Sequence, residues 1–299
     1  MDDRIDAVLP LTAADAERAQ ILFRSLDRFF EPLRTCFVVV PDRELSAVRA
    51  QIPTECTELV AESDVIPEIR WFWAMARARA KLRLVGPPIH GWFVQQLVKL
   101  AVAERVETPF YVTLDADVLC VRETRYDDLV RDGRALVQTS PPNHPEWNDD
   151  AERVLALPRS GRQYAVTPAL LNREAVGALA RHLERRVRPR VRQASSRMPH
   201  RVPREILASW RSYLLRSLPW TEYALYHTFL EQTGLFDRYH FLGGDDAIYG
   251  DSIWMESQFE EWDAARTFDG DGGFCFTVVQ SATRIPPDRV LAKVAPHLR

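Results

Sequence analysis

The chain has 299 residues, 46% hydrophobic and 27% charged, a balance that excludes a disordered or fibrous chain and leaves room for one α/β domain with insertions or two small domains. A formal net charge of −3 argues against a polyanion-binding protein as a whole. Cys36, Cys56, Cys120 and Cys275 are scattered with no C-x-x-C, so neither a zinc site nor a disulfide framework is indicated.

In chain order, the acidic start and the apolar run at 7–11 are too short for a signal peptide, and no stretch has the length needed to span a bilayer. The expected compartment is the cytoplasm. Residues 5–11 read as a buried strand, after which Thr12 caps a helix over 13–30 with Ala19, Leu22, Phe23, Leu26 and Phe30 on one face. Residues 35–41 form a second strand, Asp42 caps a short helix to about residue 50, and 58–61 form a third strand followed by Glu62, Ser63 and Asp64. This alternation predicts a mostly parallel sheet in an α/β fold, where ligands bind at the carboxyl ends of strands. Thr12 and Asp64 fall at two such ends and are candidate ligand contacts.

Residues 71–83 predict an amphipathic helix with a basic solvent face, and Gly86-Pro87-Pro88 breaks the chain. Gly91 opens G-W-F-V-Q-Q-L-V-K-L, a helix with Phe93, Leu97, Leu100 and Ala101 as its core stripe. Gln95 and Lys99 lie four apart on another face, so they project together. They fit either a solvated face or a cation poised beside bound phosphates.

Residues 110–121, F-Y-V-T-L-D-A-D-V-L-C-V, read as one buried strand entered through Pro109 and interrupted by Asp115 and Asp117. Residues i and i+2 of a strand share a face, so both carboxylates can meet one hard divalent ion where the strand opens into a cleft. Mg²⁺ or Mn²⁺ held this way takes its other ligands from water and substrate phosphates. Short acidic triplets also occur in turns and caps; the apolar residues on both sides favour the metal site here.

Beyond this strand, 135–139 form another strand leading into a Pro-rich loop with Asn143, His144, Glu146 and Trp147, which suits either a surface loop or a binding loop. Residues 164–171 return to the sheet and 173–186 form a helix. The Arg-rich run 185–204 reads as a mobile loop, either a solvated insertion or a contact for an anionic surface at the membrane face. It has no interleaved aromatics of the kind that stack bases, so no nucleic-acid partner is expected. Thr221 caps a helix with Glu222 in its first turn, where a carboxylate suits the helix dipole or serves as a general base. Asp245, Asp246 and Asp251 form an acidic loop, and Asp269-Gly270-Asp271 reads as a turn rather than a second metal motif.

The pairing of G-W-F-V-Q-Q-L-V-K-L with Y-V-T-L-D-A-D-V-L resembles a bacterial group of glycosyltransferase-like proteins in which a W-x-x-Q-Q-x-x-K helix precedes a D-x-D strand in a GT-A fold. W-T-E-Y-A-L-Y at 220–226 and F-T-V-V-Q-S at 276–281 are similar to later segments of that group. The resemblance implies a GT-A-like domain over 1–299, with a nucleotide-sugar half at 1–140 and an acceptor half at 141–299. It implies Mn²⁺ or Mg²⁺ on Asp115 and Asp117, and donor contacts from Gln95 and Lys99, with Trp92 and Gln96 beside them in the same motif. A glycan, lipid-linked or small-molecule hydroxyl would be the acceptor and Glu222 the candidate base. Where GT-A enzymes often place a late metal-binding His, this chain has Gln280 and Ser281. Two other classes stay open, a nucleotidyltransferase and a non-catalytic polyanion-binding protein. The first would need a Gly-rich phosphate loop near the first strand, and L-P-L-T-A-A-D has no Gly.

Overall fold

The β-branched apolar runs become strands and the periodic segments become the helices that cover them. The computed structural model describes residues 3–81, 91–194, 206, 208–244, 246–270 and 272–299. Its first strands are β1 (Ile5–Pro10), β2 (Leu33–Val40), β3 (Thr57–Ala61) and β4 (Phe110–Thr113). Then follow β5 (Val118–Cys120), β6 (Val130–Arg131), β7 (Arg134–Val137) and β8 (Ala169–Asn172). The last are β9 (His240–Leu242), β10 (Tyr249–Ile253) and β11 (Phe276–Val279).

The central sheet has the order β3-β2-β1-β4-β8, with β1 to β4 parallel and β8 an antiparallel edge. The expected mixed α/β architecture with a mostly parallel central sheet is what forms. Alternate residues serve opposite layers. Ala7, Leu9, Val38 and Val112 pack with Ala19, Leu22 and Leu26 of α1 (Ala16–Phe29). Val8, Phe37, Val39 and Tyr111 pack the other way, against Leu97 and Leu100 and the helix Glu222–Gln232. Leu22 and Leu97 are fully buried, each a gain of about 1.5–3 kcal/mol.

The chain runs β1 to β2 to β3 outward, then returns to place β4 on the other side of β1, in register Val8 to Thr113. That reversal makes the carboxyl ends of β1 and β4 the topological switch point, where ligands of open α/β sheets bind.

Several expectations shift. The predicted strand 110–121 is two strands in two sheets: the Leu114 N–H donates to the Val8 carbonyl at 2.9 Å, and the Asp115 carbonyl then accepts from the Val118 N–H at 3.2 Å. The carboxylates occupy this turn, and β5 pairs antiparallel with β11 in the sheet β10-β11-β5. The third sheet is β6-β7-β9.

The first helix begins at Ala16 because Thr12 turns its hydroxyl onto the Asp15 carboxylate, 2.7 Å away. Asp42 does not cap the short helix α2 (Leu45–Arg49) that follows it; it accepts from the hydroxyl and N–H of Ser63 in the first turn of α3 (Glu62–Val65) and from Arg70, joining the ends of β2 and β3 to α4 (Ile69–Lys81). The Glu222–Gln232 helix is buried on every face from Glu222 to Leu230.

The basic run expected as a loop from Arg185 begins inside the helix Arg173–Ala194, because Leu183 and Val187 continue its apolar stripe into the core. The rest of that run, 195–204, lies outside the described residues, as do 82–90 with the Gly86-Pro87-Pro88 break, Asp245 and Asp271. Among the described residues no helix is long and apolar enough to cross a membrane.

Candidate functional site

The D-x-D turn sits at the switch point, and the helix Gly91–Ala101, here α5, brings Lys99 to it. Lys99 is 4% exposed and its Nζ spends all three N–H donors: 2.9 Å to Asp115 Oδ1, 3.2 Å to Glu222 Oε1 and 2.6 Å to Thr167 Oγ1. It lies 5.6 Å from the centre of the Tyr223 ring. The Tyr111 hydroxyl donates to the Lys99 carbonyl at 2.8 Å, so the backbone is fixed as well.

A directed hydroxyl chain continues from it. Thr113 donates its one proton to the Ala169 carbonyl at 3.0 Å, so the Tyr223 hydroxyl, 2.7 Å away, must be the donor to Thr113. Thr167, also 2.7 Å from Tyr223, then donates to the Tyr223 oxygen and accepts from Lys99. The Glu222 end is tied to α5 a second time: Gln96 Oε1 accepts the Glu222 N–H at 3.1 Å. Gln96 Nε2 is buried with no hydrogen-bond partner.

Electrostatics follow from one ammonium serving two carboxylates. Burial pulls the pKa of Lys99 down, but Asp115, Tyr223 and Glu222 outweigh it and hold the ammonium well above its ordinary value. Burial raises the Glu222 carboxyl, and the pull of Lys99 does not cancel the effect. The two shifts fit together because Lys99 stands closer to Asp115 and is shared.

Asp117 is 9% exposed, against 40% for the Asp115 side chain. Burial and then the neighbouring Asp115 raise its pKa, opposed by hydrogen bonds from Ser281 and more weakly by Arg18. Its Oδ2 accepts the Ser281 N–H at 2.8 Å, and its carbonyl accepts the Val279 N–H at 3.0 Å.

The structure therefore brings Gln96, Lys99, Asp115 and Glu222 together, and Ser281 with Asp117. Gln280 instead donates its N–H to the Ile253 carbonyl. Gln95 is half-buried, and the solvated face its spacing with Lys99 allowed is absent at Lys99 itself. Trp92 is 51% exposed, edge-on to Phe93. Thr12 follows β1, next to β4. Asp64 is exposed beyond β3, three strand positions from β4 or roughly 14 Å at the usual spacing.

Thr113, Thr167 and Tyr223 were not predicted. Tyr223 beside Glu222 was the available signal, since a tyrosine in a wholly buried helix must find a partner for its hydroxyl.

No group of three or more His, Cys, Asp or Glu side chains that could hold a metal ion occurs among the described residues. A metal here would rest on two carboxylates. The donor set fits a hard divalent ion: Asp115 and Asp117 are both oxygen donors in one turn, their mutual repulsion is left over, and Lys99 already compensates Glu222 as well.

Residues 2–299 match the model of a family of unknown function, DUF6492. The chain belongs to this family. No curated protein matches it. Among solved structures, the DUF6492 chain is similar to the crystal structure of galactosyltransferase LgtC in complex with donor and acceptor sugar analogs. The two are 8% identical, with 98% of this chain and 96% of that chain covered and a TM-score of 0.47.

Proposed function

We propose that this DUF6492 chain is a metal-dependent GT-A-type glycosyltransferase, moving a sugar from a nucleotide-diphosphate donor to a hydroxyl acceptor. One observation carries the reading: at the switch point of the sheet Asp115 and Glu222 share the single ammonium of Lys99, while Asp117 in the same turn has only the Ser281 hydrogen bond and the weak pull of Arg18 against burial and the charge of Asp115. Such an excess of negative charge favours a cation, and a cation there favours a diphosphate.

Asp115 and Asp117 would hold Mn²⁺ or Mg²⁺, which when bound supplies a Lewis acid for the departing nucleotide diphosphate. Lys99 adds a fixed positive charge on the same side, at no reorganisation cost because its three donors are already placed. Ser281 orients Asp117 through its main-chain N–H. Thr12, Trp92, Gln95 and Gln96 are the donor-side candidates, and Asp64 joins them only if the donor lies extended along the strand ends.

Glu222 is the candidate base, its carboxyl raised by burial toward the range useful for proton transfer. Its 3% exposure and its contact with Lys99 favour a second role, holding the ammonium in place. Glu222→Gln separates the two: a base loses kcat and the acidic limb of the pH profile, whereas a positioning group mainly weakens donor binding.

The experiment is a thermal-shift panel of nucleoside diphosphates with and without Mn²⁺. A ligand at 100 times its Kd raises stability by about 2.7 kcal/mol, and the reading requires that gain only when metal and nucleotide are both present. Salt-sensitive polyanion binding without metal would favour a binding protein instead. Release of pyrophosphate would favour a nucleotidyltransferase.

A further inference from the structure

Trp254 and Met255, 55% and 56% exposed, are the most exposed large apolar side chains among the described residues. They follow β10, whose last residue Ile253 is buried and paired with Val279 of β11. The next residue along β11, Gln280, donates its N–H to the Ile253 carbonyl at 3.0 Å, and Ser281 donates to Asp117. The pair therefore stands about two strand spacings, roughly 10 Å, from the D-x-D turn. Its backbone is pinned, since the Trp254 and Met255 N–H groups both donate to Gln258 Oε1, at 2.7 and 3.0 Å.

An exposed indole, with a thioether next to it in the chain and its backbone pinned, offers a flat apolar ring face. The charges near it in the chain limit what can bind. Glu256 and Glu260 share one ion-pair partner, Arg289, and the Lys293 ammonium reaches the Glu260 carbonyl. This balanced rim gives an anionic ligand or an anionic bilayer no net attraction. A pyranose has one face of C–H groups that stacks on an indole and a rim of hydroxyls that does not need a cation.

We propose that Trp254 and Met255 form the acceptor platform of the site, stacking the apolar face of an uncharged saccharide so that one hydroxyl reaches the Asp115–Asp117 turn. This rests on the transferase reading above, narrowing its acceptor to neutral carbohydrate.

The test uses the full chain labelled with fluorotryptophan, with the Trp254 line among the eight tryptophans assigned by W254F. Neutral hexose and N-acetylhexosamine oligosaccharides should shift that line; their sialylated counterparts and phosphatidylglycerol vesicles should not. Trp254→Ala should weaken saccharide binding about tenfold, the scale of a lost stacking contact, and keep the Mn²⁺-dependent nucleotide thermal shift. A Trp254 line unmoved by neutral saccharides, or moved by vesicles, overturns the platform, as does loss of the nucleotide shift in W254A. Saccharide binding at Trp254 in a wild-type protein with no nucleotide shift would keep the platform and remove the transferase.

Discussion

The Lys99 ammonium meets the Asp115 carboxylate at 2.9 Å, although one side chain comes from α5 and the other from the turn after β4. The same nitrogen reaches Glu222 on a third element. A cation 4% exposed and shared by two carboxylates is part of the core as much as of the site.

Lys99→Met should therefore destabilise the metal-free protein, by about 3–5 kcal/mol, since it leaves Glu222 buried and unpaired. The double variant Lys99→Met with Glu222→Leu should recover most of that loss, because Asp115 is partly exposed and tolerates losing its partner. Urea unfolding of the three proteins measures it. A single variant as stable as wild type would show that Glu222 is compensated elsewhere.

Spacing on α5 cannot reveal this burial. Gln95 and Lys99 share a polar face by position, and what covers that face is Glu222, more than a hundred residues away in the chain. The apolar strands β1 to β3 and the α5 stripe were legible because each carries its signal locally. The D-x-D segment reads as one strand because nothing local separates a bent ladder from a straight one; the break depends on β5 finding β11. The helix through Ala194 was hidden for a similar reason, since the packing of Val187 in the core is masked in the sequence by the arginines around it.

Tyr223→Phe should cost about 1–3 kcal/mol, because Thr167 loses its acceptor and Thr113 its donor within a buried chain. Chemical denaturation checks the loss, and Thr113→Val in the same background should add little, since both act on one network.

Stability should also fall in acid through two buried histidines. Burial lowers the pKa of His240 to about 4 and holds His227 well below its ordinary value. An unfolded histidine titrates near 6.5, so both contribute stability above that pH. Each loses up to about 1.4 kcal/mol per pH unit as pH falls below it, His240 until about pH 4. The unfolding free energy followed from pH 8 to pH 4 reads the slope. His227 Nδ1 has no hydrogen-bond partner, so His227→Phe should flatten the acid limb with little loss at pH 8. A limb unchanged in that variant would place the acid sensitivity elsewhere.

The most direct measurement is calorimetric titration of Mn²⁺ into wild type and Asp117→Asn, each with a nucleoside diphosphate present, beside metal-free melting of both. Asparagine can still accept the Ser281 N–H, and it removes a charge that burial and Asp115 make costly. The account predicts that the variant loses metal binding while melting no lower than wild type without metal. Retained Mn²⁺ affinity, or a metal-free loss on the scale of a broken buried ion pair, about 3–5 kcal/mol, would contradict it.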